Sequence, residues 1–98
     1  LWLGHNELTD VRGLENLTRL EALRLGDNQL TSVQGLEKLT QLTRLSLQKN
    51  QLTDVKGLEN LTQLKELDLR INPDLTKAQI DELKKALPKC RIRHNAKK

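Results

Sequence analysis

The 98-residue chain has no phenylalanine, tyrosine or methionine, and its one aromatic side chain is Trp2. Its apolar interior must therefore come almost wholly from leucine with a few valines and isoleucines, which points to one small packing unit used repeatedly. The single cysteine, Cys90, cannot form an internal disulfide and leaves the redox compartment open. No apolar run approaches the roughly 20 residues that a membrane-spanning helix needs, and no leader-like segment stands before the first repeat. A chain of this size is at most one small domain, which buries only about 60 to 70% of its unfolded surface. The net charge of +4 is uneven: residues 1–76 carry nine Lys/Arg against eleven Asp/Glu, whereas residues 77–98 carry eight against two. The basic excess belongs to one end.

What the chain does have is a period. Asparagines stand at 6, 28, 50 and 72, each 22 residues after the last, inside a recurring phrase: "LWLGHNELTDVRGLENLTRL", "LRLGDNQLTSVQGLEKLTQL", "LSLQKNQLTDVKGLENLTQL" and "LDLRINPDLT". A period of this length marks a repeat architecture. The L-x-L stretch alternates as a half-buried strand does, and the following "GLExLT" has room only for a short helical or 3-10 segment. A 22-residue crossover brings each strand parallel to its predecessor.

These residues resemble the leucine-rich repeat family, whose signature is LxxLxLxxNxL. The 22-residue form is similar to the subtype of internalins and of a regulatory subunit of protein phosphatase 1. The resemblance implies an α/β right-handed solenoid, with short parallel strands on a concave face and short helical or 3-10 segments on a convex face. For function it implies protein binding, without naming a partner. In such a coil Leu23, Leu25 and Leu30 point inward and stack on their copies one period away. Truncating one, as in Leu45→Ala, is expected to cost about 2 to 5 kcal/mol. Asn28 and Asn50 are expected to hydrogen-bond the backbone of adjacent turns, and Gly13, Gly35 and Gly57 to supply a backbone angle costly to other residues.

After Asn72 the phrase changes. "TKAQIDELKKALP" reads as a helix with Thr76 and Gln79 as a capping box and Pro88 as its stop, and with Ile80, Leu83, Ala86 and Leu87 on one face. The stretch "LPKCRIRHN" then fits L-x-x-L-x-L-x-x-N, with Cys90 and Ile92 in the two leucine slots and Asn95 in the asparagine slot. The expected organisation is repeats over 1–75, a capping helix and terminal strand over 76–95, and a basic tail over 96–98. This closing repeat is similar to those of bacterial members of the family. In it Cys90 is a core residue whose thiol is expected to react with a polar reagent only after unfolding. Leu1 already occupies a strand position, so further repeats or a cap are expected upstream, with the full-length protein a monomer.

No enzyme constellation assembles. His5 and His94 fall on strands one and five, roughly 19 Å apart at about 4.8 Å per strand. Ser46 lies beside Asp68 without a histidine in an adjacent strand, and His5 with Asp27 makes at most two metal ligands. The reading is therefore no catalytic residue, no metal and no cofactor. Lys89, Arg91, Arg93, His94, Lys97 and Lys98 form a basic end, but without interleaved aromatics a solvated cap is preferred over a nucleic-acid site. "NLT" at Asn16 and Asn60 is a by-product of the repeat.

What remains is the outward side of the sheet, where residues vary between repeats while the leucines do not. The candidate partner-binding residues are Trp2, Arg24, Arg44, Ser46, Gln48, Glu66, Asp68, Arg70 and Arg91. Trp2 and Arg24 are placed for a cation–π contact. Arg44 beside Glu66, and Asp68 beside Arg91, are expected cross-strand pairs. The expected function is protein binding through the concave face, by the C-terminal part of a longer repeat protein. A purely structural cap is the alternative. A phosphatase-regulator role ranks lower, since Trp2 is the only aromatic on that face.

Overall fold

The computed structural model describes residues 1–4, 7, 9, 11 and 13–96. Each coil places one short strand beside the last. The strands β1 (Ala22–Arg24), β2 (Arg44–Ser46), β3 (Glu66–Asp68) and β4 (Arg91–Arg93) form a parallel sheet in sequence order. Trp2 extends it as an isolated parallel bridge to Arg24, with Leu3 N–H donating to the Arg24 carbonyl at 2.8 Å and Arg24 N–H to that of Leu1 at 2.9 Å. Leu23, Leu45 and Leu67 pair in register and are buried, as are Leu25, Leu47 and Leu69. Because strand side chains alternate, the residues between them all face the opposite side.

On the other side of the coil run the 3-10 turns Leu36–Lys38 and Leu58–Asn60. Each is entered through a glycine, Gly35 or Gly57, with φ of 105°, a backbone state that a Cβ would strain. The glutamate two residues later closes the turn: Gly35 N–H donates to Glu37 Oε2 at 2.7 Å and Gly57 N–H to Glu59 Oε2 at 2.9 Å. The repeated "GLE" is thus a hydrogen-bonded unit, a role for the glutamates that the sequence pattern alone did not disclose.

Three buried asparagines fasten coil to coil. Asn50 Nδ2 donates to the carbonyls of Leu25 at 3.1 Å, in the preceding coil, and Leu47 at 3.0 Å, in its own. Its Oδ1 accepts from Leu30 N–H at 3.0 Å. Asn72 repeats the set one coil later with Leu47, Leu69 and Leu52, and Asn28 donates to Leu3 and Leu25. Asn6 lies outside the described residues.

Helix α1 spans Lys77–Ala86. Thr76 accepts from Gln79 N–H and Gln79 Oε1 accepts from Thr76 N–H, the reciprocal capping box expected from the sequence. Ile80, Leu83 and Leu87 are buried against the repeat core; Ala86, expected on the same face, is exposed.

The last strand corrects the expected register. Ile92, not Cys90, pairs with Leu67, so Arg91 stands beside Glu66 and Arg93 beside Asp68. The expected neighbour of Asp68 was Arg91. Ten α-helical residues advance only about 1.5 Å each, less than a 3-10 or extended segment, so this coil needs more residues before returning to the sheet. A slip of two residues preserves the in–out alternation, which is why Arg91 and Arg93 still face outward. Two further expectations fail with the register. Cys90 is half-buried just before β4 instead of filling a leucine slot. Asn95 is exposed and accepts from Ile71 N–H at 2.8 Å instead of joining the buried asparagine ladder.

Candidate functional site

The outward residues of the sheet line an open groove of about 340 Å³. Register sets them in rows across the strands. One row reads Ala22, Arg44, Glu66, Arg91; the next reads Trp2, Arg24, Ser46, Asp68, Arg93. At the following outward position come Gly4, Gly26, Gln48 and Arg70. Of the nine residues singled out from sequence, the groove is lined by eight, and Arg70 stands at its border next to Asp68.

At the N-terminal side the Arg24 guanidinium lies over the Trp2 ring, 4.5 Å from its centroid. Trp2 remains 69% exposed, so the stack is a raised platform that offers both an apolar edge and a cation to solvent. Behind it the missing side chain at Gly26 makes room for a neighbour. The Gln48 amide lies across Gly26, where a Cβ would come within 2.5 Å of Nε2. Gln48 Oε1 is buried there without a hydrogen-bond partner among the described residues.

The centre of the groove holds two carboxylates, each already engaged by an arginine. Arg70 donates to both oxygens of Asp68, at 3.0 Å from Nε and 2.8 Å from Nη2. Partial burial would raise the Asp68 pKa, yet the side-chain and backbone hydrogen bonds from Arg70, with the charges of Arg70 and Arg93, hold it below the ordinary value. Glu66 makes a looser, exposed contact with Arg44 at 3.9 Å. At the C-terminal side Arg91 and Arg93 close the rows. Arg93, read from sequence as part of the basic end and expected beside Arg70, instead stands beside Asp68 and lines the groove; the α-helix length was the signal for the slip.

The chemistry around Cys90 and His94 points away from reactivity. Burial first, then the Glu66 charge, pushes the Cys90 thiol up to about 11. His94 Nδ1 accepts from Ala96 N–H at 3.2 Å, which requires that nitrogen to be unprotonated. Burial and Lys84 draw its pKa down, against an opposing pull from Asp81. Among the described residues no three His, Cys, Asp or Glu side chains converge as a metal-binding group; His5 lies outside those residues. No described helix is long and apolar enough to cross a membrane.

Parallel strands, 22-residue coils, a buried asparagine ladder and a polar outward groove define a leucine-rich repeat solenoid. The family model for leucine-rich repeats in two copies matches residues 1–38 and 40–88, and the chain belongs to that family. Its members are typically non-enzymatic modules of protein–protein interaction. Among solved structures, the chain is similar to a leucine-rich repeat protein of Leptospira interrogans, at 33% identity over 89% of this chain with a TM-score of 0.78. It is also similar to an internalin, InlF, of Listeria monocytogenes, at 27% identity over 95% of this chain with a TM-score of 0.58. The chain spans 23% and 34% of the lengths of those two proteins. Among curated proteins none matches.

Proposed function

We propose that this chain is a non-enzymatic interaction module that presents its concave sheet face to a protein partner, as the C-terminal part of a longer bacterial repeat protein. The observation that carries the reading is the division of labour within each strand. The leucines repeat and are buried, while the outward neighbours differ from coil to coil and line an open, polar groove. A surface serving only to fold would not need the exposed Trp2–Arg24 platform, and Trp and Arg are the residue types that most often dominate binding energy. The bacterial assignment is supported by the Leptospira and Listeria likenesses, and the terminal placement by α1 and β4 covering the last coil.

The test is charge reversal of Arg24, Arg44 and Arg70 in the longer protein, followed by capture of its native partner. Loss of capture, with thermal unfolding unchanged, supports the reading. Retained capture favours the alternative, that this segment is a structural cap and upstream repeats do the binding.

A further inference from the structure

We propose that the segment received by this groove is acidic: an extended stretch of the partner protein with two carboxylates about four residues apart. The inference rests on the concave-face reading above and adds the chemistry of the partner.

Its basis is the balance of charges that remain once the groove has paired its own. Glu66 is engaged by Arg44 and Asp68 by Arg70. Arg24, Arg91 and Arg93 make no ion pair with a carboxylate among the described residues, though the Arg93 charge reaches Asp68 from the adjacent strand; Asp27 and Lys49 add one charge of each sign to the lining and leave the balance unchanged. These cations sit at the two sides of the groove: Arg24 in β1, and Arg91 and Arg93 in β4. At about 4.8 Å per strand the two sides are roughly 14 Å apart, the span of about four residues of extended chain at 3.3 Å each. One carboxylate meets Arg24, whose guanidinium is already oriented by Trp2, with the Ser46 hydroxyl beside it in register. The other meets Arg91 and Arg93. Between them Arg44 and Arg70 are already taken by Glu66 and Asp68, so the centre offers no free cation and the intervening residues are neutral. The alternative polyanion, a nucleic acid, fits the pattern less well, because its evenly spaced charges would meet no free cation at the centre and the single Trp2 offers little stacking.

The probe is a fluorescein-labelled peptide with glutamates at positions i and i+4 and neutral residues between, titrated with the full chain and followed by fluorescence anisotropy at low salt. Binding is expected to weaken several-fold as ionic strength rises. It should fall about tenfold or more with Arg24→Glu, or with Arg91→Glu and Arg93→Glu together, because reversal adds repulsion to the lost attraction. Lys38→Glu and Lys56→Glu, on the opposite side of the coil, should leave it unchanged, and circular dichroism checks that every variant folds. No binding, equal binding of the glutamine-substituted peptide, equal weakening by the Lys38 and Lys56 variants, or stronger binding of a single-stranded oligonucleotide would each overturn the proposal. If the longer protein still loses its native partner on concave reversal while this peptide fails to bind, the concave-face reading stands and the acidic-segment proposal falls.

Discussion

Asn50 and Leu30 are joined across a full coil: the asparagine Oδ1 accepts from the buried Leu30 N–H at 3.0 Å, while its Nδ2 donates to the Leu25 and Leu47 carbonyls. One side chain thus satisfies backbone groups in two successive coils. Asn50→Ala leaves several of them buried and unpaired, and the expected loss is on the order of 3 kcal/mol in urea unfolding. Asn50→Asp should be comparably destabilising at neutral pH and partly recover in acid. An ionised carboxylate can still accept from Leu30 but faces the Leu25 and Leu47 carbonyls with no proton to give. A variant with wild-type stability would show that the ladder is not structurally required.

Ile71 sits in the left-handed region, at φ 57°, where the preceding coils place Asp27 and Lys49. A β-branched residue is disfavoured there, and Ile71 is also 54% exposed, so little burial compensates. Ile71→Asn is expected to stabilise the fold by about 1 kcal/mol, read as a shift of the denaturation midpoint at constant slope. Destabilisation would mean that the isoleucine contributes packing against the neighbouring Pro73, Leu75 and Ala96 that outweighs its strain.

Half-burial of Cys90 changes what thiol labelling should show. The native thiol is reachable but held protonated, with a pKa of about 11. At neutral pH its reaction with iodoacetamide should run roughly 100-fold slower than that of a thiol at the ordinary value, since two pKa units remove about that factor of thiolate. Because the folded pKa is raised, the associated stability is present below the unfolded value and is lost as pH rises through about 11. A native rate profile with its midpoint at the ordinary thiol value would contradict the assigned environment.

Arg70 and Asp68 make the opposite case. The Asp68 carboxyl is held low in the folded state, so its pairing stabilises above the unfolded carboxylate value and is lost as pH falls through the depressed folded value. Arg70→Met should raise the Asp68 pKa, followed by side-chain carboxyl NMR, and should flatten the acid limb of the stability curve. Because Arg70 is half-exposed while Asp68 is only 17% exposed, the neutral-pH stability of the variant should fall modestly, by the contribution that the acid limb no longer shows.

The architecture was legible in the sequence because a solenoid is nearly one-dimensional. Each coil touches only its neighbours, so a leucine or asparagine recurring at 22 residues has the same surroundings every time. The Thr76–Gln79 cap was equally local, and so was the glycine entering each 3-10 turn. The outward rows were readable as far as the period held, which placed Trp2 over Arg24 and Arg44 near Glu66.

Where the period breaks, spacing stopped being enough. The motif match at "LPKCRIRHN" was correct in its alternation and two residues wrong in its register, because the return to the sheet depends on how far α1 advances and where Ile80, Leu83 and Leu87 dock. That docking set Arg93 beside Asp68, left Cys90 half-exposed and moved Asn95 out of the ladder. The sequence by itself determined the repeating coil, since its contacts are between equivalent neighbours. Only the tertiary structure decided the register of the closing strand and with it which arginine stands beside Asp68, since both depend on distances through space that no repeat encodes.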